Sequence, residues 1–324
     1  MRFVTLARLS LLASTLGAFG PALAQGSYDP LRALGPDGRV EDAVIRDDAR
    51  DRDIPVRAWI PPGRGPFPTI LFSHGLGGAR ENSPYLGRHW SSRGYLVVFL
   101  QHEGSDAATW EGKAPQDAIR DMRSAANARN LVLRAQDVRV VLDAIGAGRY
   151  LQGLVDPARI GMTGHSFGAI TTQAVSGEAF PLAGARFTDD RIRAALPMSP
   201  SAPRRGGARA FSGVRIPWLV MTGTRDNSPI GNATASSRLG VFAALPQDGH
   251  AYQLVLDGAT HMAFSDRVLR TERGARNPNH HRVILALSTA FWDAYLRDDA
   301  AARRWLNGDG PRTVLEPRDR WERK

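Results

Sequence analysis

Six short stretches of this chain are almost continuously apolar and fenced by Gly and Pro: residues 69–72, 95–100, 159–162, 194–198, 218–221 and 252–256. A strand with one wet face alternates apolar and polar residues, so an unbroken apolar run implies cover on both faces, as in a parallel sheet between helices. Helical periodicity lies between the runs. Leu131, Ala135, Val138, Leu142 and Ile145 recur at spacings of four, three, four and three before Gly146 and Gly148 stop the pattern. Ile284, Leu287, Phe291 and Tyr295 form a second apolar face over 281–296. Alternating strands and helices predict an α/β fold, a doubly wound, mostly parallel sheet with helices on both faces.

Residues 40–60, with Val44, Ile45, Ile54, Val56, Ala58 and Ile60, read as one or two leading strands able to pair antiparallel at an edge. After Asn307 the chain turns polar and Pro-punctuated, which predicts a loosely held tail. No fixed-period repeat and no linker-like tract divides the rest, so one domain over 40–306 is expected, with a lead-in at 25–39 and a tail at 307–324. The first 24 residues read differently. Arg2 and Arg8, then an apolar run, then Ala22-Leu23-Ala24 make the pattern of a secretory signal peptide. Gly17, Gly20 and Pro21 interrupt a run already short of the roughly 20 residues that span a bilayer. Export to a periplasm or to the outside is the expectation, with no stable membrane span.

At 43% hydrophobic and 23% charged, the 324 residues are too apolar for a disordered chain and too charged for a multi-span membrane protein. Without the first 24 residues, 40 basic and 32 acidic side chains remain, a net charge of +8. The charges are scattered, and all basic residues but Lys113 and Lys324 are Arg. Such a skew does not single out a polyanion site, and no nucleic acid is expected as a partner. There is no Cys, which excludes disulfides, thiolate nucleophiles and Cys-based metal sites.

The sharpest local signal is Gly164-His165-Ser166-Phe167-Gly168, directly after the run at 159–162 and before the apolar stretch Ala169-Ile170-Thr171-Thr172. A Gly-x-Ser-x-Gly elbow needs small residues two before and two after the Ser, because side chains there collide with strand and helix; the sharp turn lifts the hydroxyl above the sheet. Ser166 is thus the candidate nucleophile. A Ser hydroxyl is hardly ionised at neutral pH and needs a His to take its proton and a carboxylate to orient that His. Both follow in chain order at strand ends, where open α/β sheets bind ligands: Asp226 after 218–221 and His261 after 252–256. Asp257 is the rival acid, but it lies too early in the loop leading to His261 to brace that ring. His165, inside the elbow, cannot easily turn to its neighbour and reads as structural.

An oxyanion also needs donors. Ser73-His74-Gly75-Leu76-Gly77-Gly78 follows the first run of the core, and its glycines let main chain approach a ligand. With the residue after the nucleophile, this loop names the N–H groups of Leu76 and Phe167. His74, His102 and Glu103 also fall after strands, yet no helical pair fixes a ligand geometry, and no metal is expected there.

The two motifs Phe72-Ser73-His74-Gly75-Leu76-Gly77-Gly78 and Gly164-His165-Ser166-Phe167-Gly168 resemble those of the α/β-hydrolase superfamily. Within it they are similar to the branch of platelet-activating-factor acetylhydrolases and the bacterial proteins called predicted dienelactone hydrolases. Position 169 is Ala where many relatives continue with another Gly, and true dienelactone hydrolases use a Cys that this chain lacks. The resemblance, over about 40–305, implies an α/β-hydrolase fold and a carboxylic-ester hydrolase with Ser166, Asp226 and His261 as triad, Leu76 and Phe167 as oxyanion hole, and no cofactor. A short-chain or acetyl ester, small or lipid-like, is the expected substrate. Amide bonds, a cutinase-like polyester and a noncatalytic binding role on the same fold are the alternatives. From loop position, residues 102–115 with Trp110, together with Phe264, are expected to roof the pocket.

Overall fold

The computed structural model describes residues 28–203, 206–267 and 276–324; the expected signal peptide, 1–24, lies outside them. Among the described residues, nine strands form one sheet: β1 (Arg39–Asp47), β2 (Arg52–Ile60), β3 (Phe67–Ser73), β4 (Leu96–Leu100), β5 (Val155–His165), β6 (Ile192–Met198), β7 (Trp218–Arg225), β8 (Ala251–Thr260) and β9 (Arg320–Arg323). Their spatial order is β1-β2-β4-β3-β5-β6-β7-β8-β9. β3 to β8 pair parallel throughout, β1 and β2 add an antiparallel edge, and β9 returns antiparallel on β8. Each of the six apolar runs forms a strand of the parallel core.

The helices are α1 (Pro84–Ser92), α2 (Pro115–Ala125), α3 (Ala128–Gly146), α4 (Phe167–Val175), α5 (Gly207–Phe211), α6 (Ala235–Ala244), α7 (Pro278–Leu296) and α8 (Ala300–Asn307). The two-residue period of a strand explains why the runs had to be apolar throughout. Ile70, Phe72, Val97, Phe99, Leu219 and Met221 face one way and pack with Trp90 of α1 and Ile284, Leu287 and Phe291 of α7. Their neighbours Leu71, Leu96 and Val98 face the other way, onto Val138, Val141, Leu142 and Ile145 of α3. Val220 does the same against Phe211 of α5 and Val241 of α6.

The segment after Asn307 departs from expectation. Instead of a loose tail it supplies β9, with Val255 opposite Arg320 and Tyr252 opposite Arg323. Trp321 stacks on Tyr252 at 5.5 Å between ring centroids. An edge strand is joined by main-chain hydrogen bonds and keeps one flank in water, so Arg and Glu side chains do not oppose it. Polarity alone therefore concealed this strand.

Candidate active site

Three strand ends build the site. Ser166 sits between β5 and α4 with φ 59 and ψ −114, a positive φ rare for a residue with a side chain. The flanking glycines permit that turn: a Cβ on Gly164 would come within 2.4 Å of the Gly168 carbonyl oxygen, and one on Gly168 within 1.9 Å of the Ser73 carbonyl oxygen. The Ser166 N–H donates to the Met198 carbonyl at 2.9 Å, anchoring the elbow to the end of β6.

His261 follows the last residue of β8 and Asp226 the last residue of β7. His261 Nε2 lies 2.8 Å from Ser166 Oγ, and His261 Nδ1 lies 2.7 Å from Asp226 Oδ1. Both partners are buried, Asp226 completely. Burial pushes the Asp226 carboxyl up, but the His261 hydrogen bond and the Arg238 guanidinium outweigh it and hold the group down to about 2. An ionised carboxylate only accepts, so Nδ1 carries the proton and Nε2 keeps its lone pair for the Ser166 hydroxyl. The arrangement can take a proton from Ser166 and stabilise the resulting imidazolium.

Asp226 is itself braced. Thr222 Oγ1 donates to Oδ2 at 2.9 Å, and Arg238 Nε lies 3.0 Å from Oδ1. Arg238, buried on α6, also donates to the carbonyls of Asp226, Ser199 and Pro200 and brings its NH2 within 3.2 Å of His261 Nδ1. Asp257 is engaged elsewhere, with Thr224 and Arg318. His165 Nε2 lies 2.9 Å from the His261 carbonyl oxygen, and burial lowers its pKa to about 3, so a neutral ring donates there and steadies the loop below the site.

Phe167 is the first residue of α4, so its N–H has no acceptor within the helix. Across from it, the loop after β3 is fixed by side chains. The His102 N–H donates to His74 Nε2 at 3.0 Å, which puts the ring proton on Nδ1, 2.6 Å from the Gly75 carbonyl oxygen. The Gly78 N–H also donates to that oxygen, at 3.0 Å. In a planar trans peptide the next N–H points opposite to the carbonyl, so the Leu76 N–H is turned away from the His74 ring. Leu76 and Phe167 both line the cavity above Ser166.

Beneath the loop lies a polar array whose centre, Ser73, His102 and Asp137, is wholly buried. Ser73 Oγ is 2.9 Å from His102 Nε2, and His102 Nδ1 is 2.9 Å from Asp137 Oδ2. Arg50 and Arg52 pair with the other Asp137 oxygen, at 2.9 and 2.8 Å. Burial lowers the His102 pKa to about 4, leaving a neutral ring. The His74 ring is thus committed to the main chain of His102 and Gly75 and the His102 ring to Ser73 and Asp137, while Glu103 turns outward to Arg52.

The cavity holds about 1040 Å³. Ser166 and His261 lie on its floor; Ile119 and Met122 of α2, Leu131 of α3, Ile170 of α4 and Ile230 give it apolar walls. No acidic residue appears among the described lining. Trp110 and Phe264, expected as a roof, are absent from that lining. Trp110 donates its indole N–H to the Gly77 carbonyl at 2.7 Å, behind the loop, and Phe264 is fully buried in the core. Residues of α2 and the 228–233 loop line the cavity instead.

One wall rests on a second carboxyl. Gln173 Nε2 donates to the Ser201 carbonyl and to Glu178 Oε2, and Gln173 Oε1 accepts from the Ser201 N–H. Glu178 is 5% exposed, and burial pushes its carboxyl up to about 8. A carboxyl whose pKa rises on folding favours the native state while protonated, and that advantage drains away between about pH 4.5 and 8. Glu178→Gln should therefore be more stable than the natural chain at pH 8, on the order of 2 kcal/mol. The two should converge near pH 5, as urea unfolding at both pH values will show.

Sequence reasoning did not single out Arg134, Arg238 or Asp137. A signal existed for two of them: Arg134 and Asp137 interrupt the buried stripe of α3, where Ala135, Val138, Val141 and Leu142 face the sheet. A charged residue at such a position calls for a buried partner.

The family model of platelet-activating factor acetylhydrolase, isoform II, matches residues 52–138. With the nine-stranded sheet around a parallel core, that decides the fold. The chain has an α/β-hydrolase fold. The matched span includes the loop from Ser73 to Gly78 and ends before Ser166, and it supports the acetylhydrolase-like branch that the two motifs resemble. The partial match supports a hydrolase of the lipase and esterase kind. No curated protein matches the chain. Among the described residues, no helix is long and apolar enough to cross a membrane.

Proposed function

We propose that this α/β-hydrolase is an exported serine esterase that cleaves carboxylic esters with short acyl groups, acetyl esters above all, through an acyl-enzyme. One observation carries the reading: the unbroken chain from Ser166 Oγ through His261 to Asp226, with links of 2.8 and 2.7 Å, opening into the cavity. Ser166 attacks the ester carbonyl while His261 Nε2 takes its proton, and the oxygen that gains charge meets the N–H groups of Leu76 and Phe167. His261 then returns the proton to the departing alcohol. Water, deprotonated by the same ring, attacks the acyl-enzyme, and collapse of the second tetrahedral adduct frees the acid and Ser166. Apolar walls from Ile119, Met122, Leu131 and Ile170 suit a lipid-like or otherwise bulky ester. The pattern of the first 24 residues supports export.

The test has two parts. A fluorophosphonate probe, mapped by peptide mass spectrometry, should label Ser166 alone. p-Nitrophenyl esters of graded acyl length should be turned over fastest at the short end, and aminoacyl anilides far more slowly. A label on another residue, or faster cleavage of the anilides, overturns the reading.

A further inference from the structure

The buried cation of α3 stands out among the charged groups because no carboxylate pairs with it directly; Asp137 and Asp106 attract it only from a distance. Arg134 has no exposed surface, and no carboxylate oxygen lies within ion-pairing distance of its guanidinium among the described residues. Asp137, one turn along the same helix, is taken up by Arg50, Arg52 and His102. Burying an unpaired charge is costly, and the strain shows in a pKa that burial lowers to about 9.

Its contacts converge on one place. NH1 donates to the His74 carbonyl at 2.7 Å, immediately before Gly75. Nε donates to Ser105 Oγ at 2.9 Å, and NH2 lies 3.4 Å from the Ser105 carbonyl, the oxygen that also accepts the Gly77 N–H at 2.9 Å. Leu76 is therefore held from both sides, at His74 and at Gly77. The same guanidinium lies 4.4 Å from the centre of the Phe167 ring, on the residue that carries the other N–H.

From this convergence, and resting on the esterase reading above, we infer that Arg134 is a positioning residue for the oxyanion site. It ties the Leu76 loop to the Phe167 side chain and sets a fixed positive charge behind both donors. A charge already in place and shielded from water needs no reorganisation when the carbonyl oxygen becomes negative, so its effect is stronger in the transition state than on bound ester. The guanidinium fork matters as well as the charge, because an ammonium cannot reach His74 and Ser105 in the same fixed geometry.

Arg134→Met and Arg134→Lys in the full chain test this, with kinetics expressed per active site titrated by the fluorophosphonate probe. Arg134→Met should lower kcat by about 30- to 100-fold with KM changed by less than about threefold. The affinity of a trifluoromethyl ketone, which forms an oxyanion on Ser166, should fall by a similar factor, while that of the matching unreactive alcohol is kept. Arg134→Lys should fall between the two, at about three- to tenfold in kcat. If Arg134→Met fails to fold, the Lys variant carries the test through the same split between ketone and alcohol. Unchanged kcat per titrated site, or equal losses for ketone and alcohol, would mean that Arg134 only supports the fold and would overturn the proposal. The wild-type arm separates the two readings: an active enzyme with an indifferent Arg134 removes this inference alone, whereas a wild type with neither turnover nor label removes the esterase reading and this one with it.

Discussion

Ser166→Ala should lower kcat on a short-chain ester by about 10^6, and Asp226→Ala by about 10^4, with far-UV circular dichroism unchanged in both. The first loss is the larger because no covalent intermediate can form without Oγ, leaving only binding and oxyanion stabilisation to assist water. The second follows from the surroundings of His261. Asp226 Oδ1 accepts from His261 Nδ1 and also faces Arg238 Nε, whose guanidinium reaches within 3.2 Å of the ring. Removing the carboxylate would leave a buried guanidinium beside a ring that must become cationic, so repulsion replaces attraction at the step where His261 takes the proton. Asp226→Asn should be milder than Asp226→Ala. Its amide oxygen can still accept from both Nδ1 and Arg238, and its NH2 can face Thr222 Oγ1, so the tautomer is kept and only the charge is lost. Steady-state kinetics on the three variants give the order directly; an Asp226→Ala enzyme within tenfold of wild type would remove Asp226 from the mechanism.

Gly168→Ala should destabilise the fold by about 5 kcal/mol or more, which is near the whole stability of many domains. The new Cβ would stand 1.9 Å from the Ser73 carbonyl oxygen and 2.8 Å from that of His74, both main chain, so no side-chain rotation relieves the clash. Either α4 or the end of β3 must shift. Each course spoils catalysis as well, because α4 carries Phe167 and β3 leads into the Leu76 loop. A matched change at Gly146, where an added Cβ meets nothing within 4 Å, should be nearly neutral. Urea unfolding of the two variants sets the contrast, and a Gly168→Ala protein as stable as the Gly146 control would contradict this account of the elbow.

Much of this architecture was readable because burial on both faces leaves a simple mark. Runs such as 95–100 and 218–221 became parallel strands since every side chain in them meets a helix, on one face or the other. The elbow was readable for a steric reason, as the clashes at Gly164 and Gly168 admit no side chain. Asp226 and His261 were reached through chain order and strand ends, and the structure brings both to Ser166. Arg134 and Arg238 were passed over because they are two among 40 Arg; the place of Arg134 on the apolar stripe of α3 was a mark in the sequence, whereas for Arg238 only tertiary packing separates a buried guanidinium from a solvated one. Trp110 was assigned by loop position alone; its indole N–H found a carbonyl behind the loop, a preference for a polar partner that position does not reveal. β9 was missed because main-chain pairing at an edge places almost no demand on side chains.

The place of β9 has a practical side. A shortened version of the chain that stops after Asn307, as its composition invites, would strip the lateral cover from β8 and bare a row of unpaired amide and carbonyl groups along 252–255. Such a rim recruits strands from neighbouring molecules. Self-association on trimming is the outcome to expect, so any fusion partner or solubility tag is better placed where it leaves residues 320–323 seated.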